Sequence, residues 1–141
     1  MATLAVDVTR KYEVGASPIF NELPVIAADI IYEGAAVGDN GSGLARPLVA
    51  ADPFMGFCDQ NCDNSAGAAS AKNVKVRSQG IAQLTVVGAT SAADQGEIVY
   101  ASDDATFTLT AGSNTAIGKV HRWVTGTTCM VAFQAIDLRS I

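Results

Sequence analysis

Aromatic and basic side chains are scarce in this sequence. Nine of the 141 residues are aromatic, and nine lysines and arginines stand against 14 aspartates and glutamates, for a formal net charge of −5. Without a basic run, the chain would on average repel a phosphate backbone, so we expect no nucleic-acid partner. Alanine supplies 24 of the hydrophobic residues, which favours a thin core of small and β-branched side chains.

Long apolar segments are also missing. No apolar run approaches the roughly 18 residues that a membrane helix requires, and the initial MATLAV lacks the basic start and long apolar region of a secretory signal. We therefore expect a soluble protein, made in the cytoplasm, with no membrane partner. The length of 141 residues fits a single domain with its own core.

Cysteine and histidine are few and poorly spaced for a metal. The three cysteines, Cys58, Cys62 and Cys129, are an odd number, so a full disulfide framework is excluded and a reducing compartment is favoured. Cys58 and Cys62 have the spacing of half a zinc site, but Cys129 and the sole histidine, His121, lack the paired spacing of a second half. Free thiols are the favoured interpretation, with a zinc site or a Cys58–Cys62 disulfide as alternatives.

Patterns that carry catalysis are absent. The segment AGSNTAIGKV, residues 111–120, resembles a phosphate-binding loop, but Ile117 stands where the second glycine is required and Val120 has no hydroxyl for Mg²⁺. One histidine and no G-x-S-x-G turn leave no pattern for a nucleophile. The adjacent Asp103 and Asp104 are interpreted as hairpin-turn residues that serve turn geometry and solubility, rather than as calcium ligands or an acid–base pair. We expect no catalytic residue, no metal and no cofactor.

Strand-like segments fill most of the chain after residue 26. In NVKVRSQGIAQLTVV, residues 73–87, apolar side chains at even positions alternate with polar side chains at odd positions, which indicates a long half-buried strand. About 14 residues at roughly 3.3 Å each exceed the height of a small barrel, so we expect a bend or bulge at Gly80. Because no segment has a sustained helical period, the predicted fold is all-β, a small antiparallel β-barrel or sandwich.

Turn sequences divide the other strands into hairpins. DNGSG at 39–43 joins DIIYEGAAVG to LARPLVA, SDDA at 102–105 joins EIVYA to TFTLT, and GTT joins KVHRWV to CMVAFQAIDL. Four apolar residues of the second hairpin are core candidates: Ile98, Tyr100, Phe107 and Leu109.

Residues 1–25 differ from the rest of the chain. They carry apolar side chains without a sustained period, prolines at positions 18 and 24, and no turn that folds the segment back. We interpret them as an extended N-terminal arm before a single β-domain at 26–141, with an ordinary edge strand plus a loop as the alternative. The apolar side chains of the arm are expected to be buried against a partner surface. That surface belongs either to another subunit or protein, to which the arm adds as a β-strand, or to the chain's own domain. Removing the arm would lower the melting temperature only if the arm packs on the chain's own domain.

Several blocks follow one another between residues 12 and 135: IYEGAAVG, GSGLARPL, GFCDQNCDNSAG, VKVRSQG, IVYASDDATFTLTAG and IGKV. Their ordered set resembles the small capsid decoration, or cement, proteins of tailed bacteriophages. Within the third block, Cys58 and Cys62 are a departure from that pattern. The resemblance implies an all-β protein without catalytic residues that binds the outer surface of the expanded major capsid shell, often as a trimer, and stabilises it against the pressure of the packaged DNA.

The resemblance also sets the expected partner and location. The partner is the major capsid protein of the same phage, and the place is the outer surface of the virion. Six apolar arm residues are the candidate contacts with the capsid or a neighbouring subunit: Leu4, Val6, Tyr12, Ile19, Phe20 and Leu23.

The alternative function is a carbohydrate- or receptor-binding β-module on the phage head. Such a module requires a cluster of exposed aromatic side chains, whereas Tyr12, Tyr32, Tyr100 and Trp123 are scattered along the sequence. Trp123 beside Arg122 could stack on a sugar, but a lone tryptophan in a strand more often belongs to a core or an interface.

Overall fold

The computed structural model of the protein describes residues 3–13 and 18–140. Regular structure in these residues is almost entirely β, and the helical segments among them are two single 3₁₀ turns, Ala92–Asp94 and Ile136–Leu138. The strands of the described chain are β1 (Ile19–Pro24), β2 (Asp29–Ile31), β3 (Ala36–Asp39), β4 (Ala45–Pro47), β5 (Phe54–Cys58), β6 (Cys62–Asn64), β7 (Asn73–Val87), β8 (Ile98–Ala101), β9 (Phe107–Thr108), β10 (Thr115–Thr125) and β11 (Thr128–Gln134). The predicted all-β fold is confirmed.

Five of these strands close a small barrel. β7 pairs with β11, β11 with β10, β10 with β8 and β8 with β9, and β9 returns to β7. These pairs are antiparallel except for the short parallel contact of β9 with β7, in which Val86 faces Phe107. From β7 the sheet extends through β5 and β3 to β4, while β2 and β6 form a separate pair. Closure protects the barrel strands from pairing with other chains, because it leaves fewer exposed strand edges.

β7 connects the barrel to the rest of the sheet. Its even-numbered side chains from Val74 to Val86 are buried except at Gly80, as the alternation predicts. β1 and β5 flank its first half, whereas β11 pairs with its second half. The register irregularity falls at Ser78 opposite β1, and Gly80 stays in register with Phe133 of β11. The expected bulge at Gly80 is therefore misplaced by two residues: β7 is irregular opposite β1, and the register shifts within the barrel fall on β10 instead.

Two clusters of buried side chains stabilise the fold. The barrel core contains four phenylalanines that meet edge to face, with the ring centroids of Phe57 and Phe133 4.8 Å apart. Phe107 belongs to this cluster and Leu109 packs against it, which confirms two predicted core positions. The second cluster surrounds Ile31 beside the small β2–β6 pair. Full burial of each such side chain contributes about 1.5–3 kcal/mol.

The hairpin of β8 and β9 forms as predicted, but β8 buries its opposite face. Val99 and Ala101 are fully buried, whereas Ile98 is 41% exposed. Tyr100 is half-buried. Both faces of this strand are apolar, so alternation does not distinguish them. The register against β10, in which Val99 faces Gly118, places the smaller side chains inside.

The turn of this hairpin is buried rather than solvated. Asp103 and Asp104 are 2% and 1% exposed, so the solubility role expected for them is wrong. Asp103 does fix the turn, because its Oδ1 accepts the backbone N–H groups of Ala105 and Thr106 at 2.8 Å each.

Part of the expected N-terminal arm belongs to the domain. β1 pairs antiparallel with β7, from Ile19 opposite Gln79 to Pro24 opposite Asn73. Val25, at the expected domain boundary, is 2% exposed and lies in the second core cluster. The described residues on both sides of that boundary are thus held in one packed unit, as the edge-strand alternative anticipates.

Candidate interaction surfaces

Residues 3–13 lie along the chain's own sheet. Tyr12 forms a bridge with Ala82 of β7. The N–H of Gln83 donates to the carbonyl of Lys11 at 2.9 Å, and the N–H of Glu13 donates to the carbonyl of Ile81 at 2.8 Å. This part of the arm therefore acts as a short extra strand on β7.

Side chains from this segment cover the aromatic core. The guanidinium carbon of Arg10 is 5.7 Å from the ring centroid of Phe57 and 5.5 Å from that of Phe107. Its Nε donates to the carbonyl of Gly34 at 2.9 Å, and burial lowers the pKa of this guanidinium. The Tyr12 ring lies 6.1 Å from Phe133. Arg10 and Tyr12 therefore shield the phenylalanine cluster from water.

The start of the segment is anchored at Asp104. The N–H of Leu4 donates to both carboxylate oxygens of Asp104, at 3.3 and 3.4 Å. The pKa of Asp104 is raised to about 6, chiefly by burial and in part by the neighbouring Asp103, while the Leu4 N–H and the Arg10 guanidinium oppose the rise. An ionised Asp104 is consequently costly to bury.

The structure divides the six predicted contact residues into two groups. Three pack against the protein's own core clusters: Leu4, Tyr12 and Leu23. The other three are open to solvent: Val6 at 66%, Ile19 at 42% and Phe20 at 41% exposure. The sequence does not predict which of the six residues are buried, because burial depends on the strand against which each residue packs.

Ile19 and Phe20 are the centre of what we call the β1 surface, which also includes Lys75 and Arg77 on β7. The Lys75 Nζ lies 4.6 Å and the Arg77 guanidinium carbon 5.0 Å from the Phe20 ring centroid. Asp59 holds both cations, at 3.8 Å each. These cation–π contacts fix an exposed ring in one orientation.

The backbone of β1 is an available edge. In the residues that the structure describes, β1 pairs with β7 on one side and with no strand on the other. Edge strands of this kind accept an added strand from another chain. Sequence reasoning placed Lys75 and Arg77 on a solvated face but missed their contact with Phe20, because β1 and β7 are distant in the chain.

The three cysteines are free and buried. The Cys58 thiol donates to the carbonyl of Gln60 at 3.0 Å, and the Cys62 thiol donates to that of Asn73 at 3.6 Å. Burial raises the pKa of Cys58 to about 12. The free-thiol interpretation is the arrangement seen, and thiols with raised pKa values are poor nucleophiles.

No group of three or more His, Cys, Asp or Glu side chains within residues 3–13 and 18–140 is placed to hold a metal ion. His121 instead lies with its Nε2 3.7 Å from Glu13 Oε2.

The AGSNTAIGKV segment does not form a phosphate-binding loop. Its lysine, Lys119, lies inside β10, which begins at Thr115. Residues 115–120 of that segment are therefore part of a strand, not of a loop that could hold a phosphate.

Comparison of the chain with known protein families finds no family model that matches, and comparison with curated proteins finds no similar sequence. No helix in the described ranges is long and apolar enough to cross a membrane.

Proposed function

We propose that this protein is a capsid decoration protein of a tailed bacteriophage. It binds the outer surface of the expanded major capsid shell and stabilises the shell without catalysis. It acts as an oligomer, with a trimer favoured, and its place is the virion.

The sequence and the fold both support this proposal. The ordered sequence blocks between residues 12 and 135 resemble that family, and the all-β barrel is the fold class that the resemblance implies. The chain's acidic charge also keeps the free protein soluble and away from nucleic acid.

The β1 surface is the observation on which the proposal mainly depends. It combines an unpaired strand edge in the described chain with two exposed apolar side chains, Ile19 and Phe20. Edge pairing provides directional hydrogen bonds, and burial of the remaining exposed area of each side chain adds about 1 kcal/mol. This is a modest contribution at one site.

Modest affinity is sufficient on a repeated lattice. A ligand that binds only the assembled state stabilises it by RT ln(1 + [L]/Kd) at every site, and an oligomer gains further through avidity. Many copies of the β1 surface can therefore stabilise a shell that one copy would leave almost unchanged.

Co-sedimentation with expanded, undecorated capsids of the encoding phage tests the proposal. The native chain is expected to bind the capsids saturably and to raise their disruption temperature. The double variant I19S/F20S is expected to lose about 2 kcal/mol of binding free energy, which corresponds to roughly thirtyfold weaker binding to the capsids.

Ile136→Ser is the matched control, because Ile136 is 46% exposed but lies outside β1. It is expected to bind as the native chain does. Absence of binding by the native chain would contradict the proposed function. Equal binding by I19S/F20S and I136S would show that β1 does not contact the capsid.

A further inference from the structure

A groove of about 490 Å³ lies on the outside of the barrel, between residues 11–13 and the β10–β11 hairpin. We call it the Trp123 groove, and it is lined chiefly by Lys11, Tyr12, Glu13, Gln83, Arg122 and Trp123. Tyr12 and Trp123, which are far apart in the sequence, thus line one groove, because residues 11–13 pair with β7 on one side and the hairpin pairs with it on the other.

Trp123 is held in a defined position. The register of β10 against β11 shifts on each side of Arg122 and Trp123, and such bulges re-aim side chains. The Trp123 backbone N–H donates to Gln95 Oε1 at 3.2 Å, and its indole Nε1 donates to the carbonyl of Gly126 at 2.9 Å. Trp123 is half-buried, because it packs against the barrel core and also lines the groove, so an apolar side chain in a fixed position borders the groove.

Polar and charged residues line the groove together with Trp123, Val124 and Met130. Arg122 Nη2 is 2.8 Å from Glu13 Oε1, so an ion pair joins the two walls of the groove. The Lys11 ammonium has no ion-pair partner in the described chain. Lys11 and Arg122 together outweigh Glu13 by one positive charge, in a protein whose net charge is −5. The groove is thus a local site for an anion that also offers hydrogen-bond donors and acceptors.

The geometry points to an acidic oligosaccharide as the ligand of the Trp123 groove. A sugar ring has an apolar C–H face that stacks on an indole, and its hydroxyls exchange hydrogen bonds with amide, carboxylate and guanidinium groups. The carboxylate of a uronic acid unit matches the surplus positive charge of Lys11 and Arg122. An acidic peptide offers the carboxylates without a ring face to stack. This binding activity is separate from capsid attachment through β1.

The test uses the intrinsic fluorescence of the native protein, because Trp123 is the only tryptophan in the chain. A hyaluronan hexasaccharide is titrated against it, with maltohexaose as the neutral sugar and hexaglutamate as the acidic peptide. The expected result is a saturable change in emission with the hyaluronan fragment, at a Kd on the order of 1 mM or below. Maltohexaose is expected to bind at least about tenfold more weakly, and hexaglutamate is expected to give no saturable change.

Charge-removing variants locate the binding. Lys11→Gln and Arg122→Gln are each expected to weaken hyaluronan-fragment binding about tenfold, with far-UV circular dichroism unchanged. Lys119→Gln is the matched control, because Lys119 is an exposed lysine of the same strand as Arg122 and lies outside the groove. The proposal is overturned if the hyaluronan fragment gives no saturable change, if hexaglutamate or maltohexaose binds equally well, or if K119Q weakens binding as much as K11Q.

Discussion

Asp104 shows how one buried side chain makes stability depend on pH. Its carboxylate is 1% exposed and accepts the Leu4 N–H, while Asp103 and the Arg10 guanidinium are the charged groups that act on it. Its pKa rises from 3.8 to about 6 in the folded chain. Because the folded value exceeds the unfolded one, the stabilising contribution is complete below the unfolded pKa and is lost as pH rises through 6.

Asp104→Asn tests this linkage. The variant keeps an oxygen to accept the Leu4 N–H but removes the charge that is costly to bury. Relative to the native chain, its free energy of unfolding is expected to rise by about 3 kcal/mol between pH 3.5 and pH 7.5. Urea unfolding at several pH values measures the difference, and a difference that does not change with pH would show that Asp104 has an ordinary pKa.

Gly118 shows a second residue-scale constraint, the close approach of two strands. A Cβ at this position would collide with the carbonyl oxygen of Ala132 on β11. Gly118→Ala is therefore expected to lower the free energy of unfolding by about 3 kcal/mol, because the backbone must shift.

Gly41→Ala is the control for that measurement. Gly41 has a φ of +93° but open space around it, so its replacement is expected to cost only about 1 kcal/mol of backbone strain. Thermal unfolding of both variants provides the comparison, and equal losses would show that β10 and β11 do not approach closely at Gly118.

At the scale of elements, segment 3–13 decides how the N-terminal arm is interpreted. Sequence patterns left two alternatives for its apolar side chains, a neighbouring protein or the chain's own domain. In the structure Arg10 and Tyr12 cover Phe57, Phe107 and Phe133. The described contacts therefore favour the second alternative for most of this segment, and the large apolar residues of the described arm that stay exposed are Val6 and, on β1, Ile19 and Phe20.

Deletion of residues 1–13 tests that assignment. It would expose the phenylalanine cluster and remove the strand that pairs with β7, so the melting temperature is expected to fall by roughly 10 °C, which corresponds to a few kcal/mol. Val6→Ser is the control within the same segment, because Val6 is 66% exposed, and it is expected to melt with the native chain. An unchanged melting temperature after deletion would mean that the segment is not part of the folded unit.

Elements were predictable from the sequence where one face is polar. β7 has charged and amide side chains at its odd positions, so its period and its buried face are evident. β8 has two apolar faces, and its orientation depends on hydrogen bonding to β10, which alternation does not encode. The β1 surface and the Trp123 groove were not predictable, because each joins segments that are far apart in the sequence.

At the scale of the whole molecule, a closed barrel with few long side chains gives a compact and self-contained core. Two outward features of the described chain, the edge of β1 and the Trp123 groove, lie along different parts of β7. In the proposed role, the first attaches the protein to the capsid and the second binds an acidic saccharide. A protein with two such surfaces would connect a phage head with its surroundings while stabilising the shell.

Electron cryomicroscopy of expanded, undecorated capsids incubated with a saturating amount of the native protein tests the decoration role most directly. The proposal predicts ordered density on the outer surface at repeated lattice positions, into which the barrel fits with β1 nearest to the shell. The same capsids incubated with I19S/F20S are expected to show these positions mostly empty. A bare shell after incubation with the native protein would contradict the proposed function.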